Sequence, residues 1–221
     1  MKLYIIPTPV GNMEDITLRA LRILKEVDFI LCEDTRTTGN LLKNYDITNK
    51  CVPYHIFNEH KQVNNIVNMI KNANSVGLTS DAGTPGISDP GFLLVREALS
   101  QGIEIECLPG ATAFVPALIN SGFPTDSFYF HGFLPHKKGK QSAIQKFAEM
   151  DCTVVFYESP HRLVKTLEMM GAILGNERKI SVSRELTKMH EENFRGTVAD
   201  ALSHFSEKGV KGEIVMCIGK E

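Results

Sequence analysis

Short apolar runs of four to six residues recur along this 221-residue chain, and most are followed by a stretch whose apolar side chains repeat at helical spacing. Runs at 3–6, 29–32, 51–54, 75–79 and 104–108 read as strands. The stretches 17–26, 38–44, 62–72, 92–101 and 112–121 read as helices. In the first helix Leu18, Leu21 and Leu24 share a face, with Asp15 or Thr17 as its cap. Strand-then-helix alternation of this kind points to a mainly parallel sheet covered by helices.

The grammar changes near 121–125, where Gly122 and Pro124 punctuate the chain. Beyond it, strands at 128–131, 153–157, 180–183, 193–197 and 213–218 alternate with helices at 143–150, 163–174 and 199–206. The hairpin-like segment around Gly196 predicts a mixed sheet. The expected fold class is therefore α/β with two α/β domains. The N-terminal domain, 1–122, has a mainly parallel sheet flanked by helices; the C-terminal domain, 123–221, is smaller. No internal repeat is visible.

Composition sets bounds on function. Hydrophobic residues at 43% and charged residues at 23% exclude wholesale disorder. A net charge of −2 excludes a polybasic nucleic-acid coat but leaves room for a local basic patch. Residues 1–115 carry 10 basic and 13 acidic side chains, and 116–221 carry 14 and 13, so the second half is the better home for a polyanion contact. Five scattered Cys without a CxxC argue against a disulfide scaffold or a Cys-based zinc site and for reduced thiols in the cytosol. The first apolar run stops at Pro7, too early for a signal peptide, and no run approaches the roughly 18 residues of a membrane span. The expectation is a soluble, cytoplasmic protein. Seven His form no HxH or HxxxH pattern, so no metal is expected, and there is no GxSxG elbow.

The strongest local signal is Ser80-Asp81-Ala82-Gly83-Thr84-Pro85-Gly86-Ile87-Ser88-Asp89-Pro90-Gly91, between a predicted strand and a helix. Three Gly and two Pro in twelve residues fix an unusual backbone path and let a ligand approach the main chain. Ligands of α/β sheets sit at the carboxyl ends of strands. Asp81, Thr84, Ser88 and Asp89 add acceptors, which suits a polar ligand carrying positive charge. The bland alternative is a rigid connector capped at Ser88 or Asp89. Two more small-residue turns, Pro109-Gly110-Ala111-Thr112-Ala113 and Pro7-Thr8-Pro9-Val10-Gly11-Asn12, also follow strands. Neither GxGxxG nor GxxxxGK[ST] is present, which weighs against dinucleotide enzymes and P-loop NTPases.

Ionisable residues cluster at three other strand ends: Glu33-Asp34-Thr35-Arg36, Tyr157-Glu158-Ser159-Pro160-His161-Arg162 and Ser183-Arg184-Glu185-Leu186-Thr187-Lys188. Each reads either as chemistry at a pocket rim or as a helix cap with surface ion pairs. The segment His136-Lys137-Lys138-Gly139-Lys140, with Lys146 beyond, follows Phe128, Tyr129, Phe130 and Phe133 and has no acidic residue nearby. Basic residues beside aromatics grip phosphates and stack bases, although a solvated helix start looks the same.

Taken in order, Tyr4–Asn12, Asp15-Ile16-Thr17, Glu33–Thr37, the Ser80–Gly91 loop, Pro109-Gly110-Ala111, Gly132-Phe133-Leu134-Pro135, Tyr157–Arg162, Arg184–Lys188 and Gly212-Glu213 resemble the tetrapyrrole methylase superfamily. Within it they are similar to the enzymes that methylate small-subunit ribosomal RNA. The resemblance implies S-adenosylmethionine bound in the cleft between two α/β domains, a homodimer, and 2′-O-ribose methylation of a cytidine in the decoding region of 16S rRNA. It places Val10, Asp81, Gly83, Thr84, Pro85, Ile87, Ala111, Thr112, Tyr157 and Glu213 in the cofactor pocket. Many members continue into a small helical C-terminal domain; the expectation here is that this domain is absent, so that RNA affinity comes from the two α/β domains or a dimer partner.

Methyl transfer from a sulfonium to a hydroxyl needs alignment above all, and a nearby base helps with so weak an acid. Asp34, Glu158 and Lys188 are the candidate bases. Arg36, Lys137, Lys138, Lys140, Arg162 and Arg184 are the candidate contacts to RNA phosphates. The alternatives are a tetrapyrrole or diphthine methylase, which usually has a GxG-like first turn in place of Pro7-Thr8-Pro9, a non-catalytic RNA-binding protein on the same scaffold, and a plain nucleotide-binding α/β protein.

Overall fold

Phe29–Cys32 (β2), buried at all four positions, is a strand that only a sheet covered on both faces accommodates. In the computed structural model, which describes residues 1–55, 59–136 and 138–220, it lies inside a five-stranded parallel sheet. The other strands are Lys2–Ile5 (β1), Cys51–Pro53 (β3), Ser75–Thr79 (β4) and Glu104–Cys107 (β5), in the order β3-β2-β4-β1-β5. The helices Leu18–Glu26 (α1), Thr35–Asn44 (α2), Glu59–Lys71 (α3) and Phe92–Ser100 (α4) cover it. Strand alternation divides the core in two. Leu3, Ile5, Leu31, Val76 and Leu78 pack with Ile66 and Ile70 of α3 and Leu94 and Ala98 of α4. Ile6 and Ile30 pack with Ala20, Ile23 and Leu24 of α1 and Leu42 of α2. Thr17 caps α1, its hydroxyl accepting the Ala20 amide at 3.0 Å.

The second sheet is mixed, as the hairpin signal predicted. Its strands are Phe128–Phe133 (β6), Thr153–Glu158 (β7), Lys179–Arg184 (β8), Glu192–Thr197 (β9) and Ile214–Ile218 (β10), ordered β6-β7-β10-β8-β9. Only β6 and β7 run parallel; β10 is antiparallel to both β7 and β8, and β8 to β9. Central β10 is buried at every position. The helices are Phe114–Ser121 (α5), Lys138–Ala148 (α6), Leu163–Leu174 (α7) and Val198–Lys208 (α8). Ile144, Phe147, Leu163, Leu167, Met170, Ala201 and Phe205 of α6, α7 and α8 pack on one face, while α5 lays Ala117 and Leu118 against Val155, Val215 and Cys217 on the other.

That packing moves the division of the chain. The two compact units are Met1–Thr112 and Ala113–Glu221. The sequence reading drew the line after residue 122, because α5 follows β5 in the same grammar as its predecessors. Its apolar face nevertheless belongs to the second sheet, and the break falls ahead of the helix.

Candidate active site

Strands β4, β1 and β5 are neighbours, so the turns that leave their carboxyl ends lie side by side. Backbone bonds fasten the first two turns together. The Thr8 amide donates to Gly83 O at 2.9 Å, and the Gly83 amide returns a bond to Thr8 O at 3.0 Å. The Thr8 hydroxyl donates to Ser80 O at 3.2 Å, and the Thr84 hydroxyl reaches the third turn at Ala111 O, 3.0 Å away. A Cβ at Gly110 would lie 2.6 Å from the Pro7 side chain, so only glycine lets that turn approach the first. The Ser80–Gly91 loop is left-handed at Gly83 (φ 80°), Gly86 (84°) and Ser88 (64°). The positive φ at Ser88 is a strained choice held in place by its surroundings. This unit thus brings Asp81, Gly83, Thr84, Pro85 and Ile87 alongside Ala111 and Thr112, with Val10 two residues beyond Thr8. The surface is mostly main chain and small side chains.

An acidic edge adjoins it, where β2 and β4 end. The Asp34 amide donates to Asp81 Oδ1 at 3.1 Å, and the Asp81 amide donates to the Glu33 carboxylate, so each strand end holds the other. Burial, then the charge of Asp81, pushes the Glu33 carboxyl above its ordinary value, with the Asp81 amide and then His55 pulling the other way. Burial, then the charge of Asp34, raises Asp81. Asp34 goes in the opposite direction. Its side chain caps α2 by accepting the Arg36 amide at 2.8 Å and takes a two-point contact from the Arg36 guanidinium, at 2.6 and 3.1 Å, which holds its pKa down at about 2. An aspartate so held stays ionised but accepts protons poorly. The Arg36 side chain itself is 88% exposed. Between the Thr8 turn, α2 and Ser80–Asp81 lies a cavity of about 250 Å3.

In the second unit, Glu158 ends β7 with its side chain fully enclosed. Its Oε1 accepts from Arg162 at 2.6 Å and from the Ser159 amide at 2.7 Å; its Oε2 meets Lys140 at 3.0 Å and the Thr166 hydroxyl at 2.6 Å. Burial alone would raise this carboxyl, but those donors outweigh it and hold it low. Both oxygens of Glu158 are therefore engaged by donors. Lys140, expected at RNA phosphates, is 10% exposed and also bonds Thr166, so its charge is engaged inside. Arg162 adds a bond to Leu134 O at 3.1 Å. The sequence could not reveal this centre, because Lys140, Glu158 and Thr166 stand on three elements.

Lys188 lies between Glu213, at 2.8 Å, and Glu185, at 3.0 Å. Burial pulls its pKa down, yet the two carboxylates prevail and keep it above the ordinary lysine value. Two carboxylates that favour the charged form of Lys188 make it a poor base. Glu185 sits at φ 52° and also accepts the Glu213 amide at 2.9 Å, tying the loop to the start of β10. Arg184 bonds Glu192 at 3.0 Å and Lys211 O at 3.2 Å. Tyr157 packs edge-on to Phe130, 5.2 Å away, and near Phe133 at 5.3 Å. Phe128, Tyr129 and Phe133 are part-exposed, while Phe130 stacks on Phe114. Lys137 lies outside the described residues; Lys138 is the first residue of α6, its side chain likewise undescribed. Among the described residues, no cluster of His, Cys, Asp and Glu is arranged to hold a metal, and no helix is long and apolar enough to cross a membrane.

Comparison with known proteins gives this geometry its context. The family model described as Tetrapyrrole (Corrin/Porphyrin) Methylases matches residues 2–202. The ribosomal RNA small subunit methyltransferase I of Hydrogenobaculum sp. (strain Y04AAS1) is 45% identical, the match covering 100% of this chain and 96% of that protein. Its namesake from Thermotoga maritima is 44% identical over 100% and 99%. That of Halalkalibacterium halodurans is 47% identical over 98% and 75%. Among solved structures, a diphthine synthase superposes with a TM-score of 0.77 at 12% identity, covering 100% of this chain and 90% of that one. A cobalt precorrin-4 methyltransferase gives 0.74 at 19%, over 99% and 94%. Uroporphyrin-III C-methyl transferase from Thermus thermophilus, complexed with S-adenyl homocysteine, gives 0.70 at 18%, over 99% and 97%. The structural likenesses establish the fold, and the sequence matches go further: the chain belongs to the tetrapyrrole methylase family and, within it, to the ribosomal RNA small subunit methyltransferase I group.

Proposed function

We propose that this chain uses S-adenosylmethionine to methylate small-subunit ribosomal RNA, at the ribose 2′-oxygen of a cytidine in the decoding region of 16S rRNA. The observation that carries the reading is 44–47% identity along essentially the whole chain to proteins named for that substrate. The residues present fit the cofactor: a sulfonium is cationic, and Glu33, Asp34 and Asp81 form an acidic edge beside a surface of small side chains. We assign Val10, Asp81, Gly83, Thr84, Pro85, Ile87, Ala111, Thr112, Tyr157 and Glu213 to holding it. When bound, S-adenosylmethionine supplies a methyl group that already carries its leaving group.

The chain's own task is alignment and proton handling. The stapled turns fix the ligand-facing main chain in advance, so little ordering is left for the reaction step. A general base contributes roughly 10²–10⁴-fold, and it works best with a pKa raised toward the working pH. Glu33 and Asp81 meet that condition; Asp34, Glu158 and Lys188 do not. Arg36 is an exposed cation suited to an RNA phosphate, so affinity should fall as salt rises. Val115 and Ile119, four residues apart on α5, are exposed and offer an apolar patch to the second copy of a homodimer. Action on ribosomes puts the protein in the cytoplasm.

The deciding experiment supplies purified protein with radiolabelled S-adenosylmethionine and unmethylated 30S subunits, then maps ribose methylation on 16S rRNA. One methyl per subunit at a cytidine ribose is expected. A protein that binds the cofactor yet leaves 30S subunits unlabelled would overturn the reading.

A further inference from the structure

The cavity between α2 and the first two turns is walled by Pro9, Met13 and Leu41 and edged by the polar groups of Thr37, Asn40 and Asp81. Its floor is preformed. Thr8 is locked to Gly83 and Ser80, the Tyr45 hydroxyl donates to Met13 O, and the capped helix α2 supplies the opposite wall. Ligand pockets share this composition, with apolar walls and a few placed polar groups, and usually exist before the ligand arrives. At about 250 Å3 it is smaller than the roughly 300–1,000 Å3 typical of ligand sites. That size admits one nucleoside and shuts out a tetrapyrrole or an entire S-adenosylmethionine.

Resting on the function proposed above, we infer that this cavity is the acceptor subsite, taking a single unstacked pyrimidine nucleoside of the RNA. Unstacked nucleotides are recognised by contact with a flat face together with hydrogen bonds to base edges and the 2′-hydroxyl. Pro9, Met13 and Leu41 offer the apolar contact. The Asn40 amide has both a donor and an acceptor, as the edge of cytosine requires. Asp81 belongs both to this cavity and to the loop assigned to the cofactor, so an acceptor seated here lies beside the donor. In the transfer, the methyl carbon's bond to sulfur breaks as its bond to the 2′-oxygen forms. The hydroxyl proton passes to the acidic edge, and neutral S-adenosylhomocysteine departs.

The test fills the cavity from exposed positions of α2, with Asn40→Trp and Thr37→Trp, and uses Asn44→Trp on the same helix as control. Cofactor affinity is read by calorimetry, and methyl transfer to 30S subunits is measured at saturating cofactor. Both filling variants should keep cofactor affinity within about twofold and lose methyl transfer by about 100-fold or more, while the control does neither. Normal transfer by the filling variants would overturn the inference. So would cofactor affinity falling in step with transfer, since the cavity would then belong to the cofactor. If Asn40→Trp melts early, Thr37→Trp decides. Failure of the function itself looks different, because the unmodified protein would then label no 30S subunits at all.

Discussion

Two carboxylate centres stand at the carboxyl ends of strands in this molecule, and they are built on opposite principles. At the end of β7, Glu158 is enclosed and matched by Lys140, Arg162, Thr166 and the Ser159 amide. At the ends of β2 and β4, Glu33, Asp34 and Asp81 crowd together with one arginine, which is occupied by Asp34. The first centre has its carboxylate matched by two cations and both oxygens engaged by donors, an arrangement that holds the fold together. Among the described residues, the second keeps its carboxylates close to one another and raises two of them, the kind of perturbation that clusters at functional sites. Burial therefore does not identify the reactive carboxylate here. The balance of donors around it does.

The sharpest way to break this contrast is Glu158→Ala. Removing the acid leaves Lys140 and Arg162 as enclosed, unpaired cations, and breaking a buried pair in this way costs about 3–5 kcal/mol. Urea unfolding should register that loss, while the fraction that stays folded should bind S-adenosylmethionine normally. A variant as stable as the parent protein would mean that the centre is not structural.

Glu33→Gln and Asp81→Asn probe the other side. Both substitutes can still accept the backbone amides of Asp81 and Asp34, so the strand ends stay joined. The variant that removes the base should lose about 10²-fold or more in single-turnover methylation, with stability unchanged or slightly improved. Asp34→Asn should cost less transfer than that variant. If both Glu33→Gln and Asp81→Asn transfer at normal rates, the acidic edge contributes no base.

Stability against pH should run oppositely at the two centres. Glu33 and Asp81 bind protons more tightly in the folded chain, so their contribution is complete below the ordinary carboxylate value of about 4 and is lost as pH rises through their raised values. Glu158, held low, contributes above that ordinary value, and its contribution is lost as pH falls below it. Relative to the parent protein, Glu33→Gln should gain stability between pH 4 and 7, whereas Glu158→Gln should lose most at pH 7. Urea midpoints across that range would show the two trends or refute them.

Much of this was legible in the sequence, and what was not had physical reasons. Alternation along the chain sufficed for both sheets and for the antiparallel β9, since strand period and turn residues are local. The Gly- and Pro-rich turns were visible because main-chain geometry restricts which residues fit. The position of α5 was not, because its face is apolar whichever sheet it covers, and only Val155, Val215 and Cys217 decide. Nor were the states of Asp34, Lys140 and Lys188 visible. Each depends on partners distant in sequence or on a guanidinium folding back, and a charged residue reads the same before its partner is known.

The smallest predicted effect tests that last point on RNA. Arg36 and Lys140 each carry one positive charge, and sequence alone ranks them equally as phosphate contacts. Arg36 is exposed and pairs with the solvent-facing Asp34, whereas Lys140 meets Glu158 inside the second unit. Arg36→Gln should therefore reduce the slope of log affinity against log salt by about 0.7, the share of one single-strand phosphate contact, with little change in stability. Lys140→Gln should do the reverse, lowering the urea midpoint and leaving the slope alone. Salt titrations of RNA binding that showed equal slope changes for both would mean that the enclosed lysine reaches the RNA after all, and the division between a closed and an open centre would lose its main consequence.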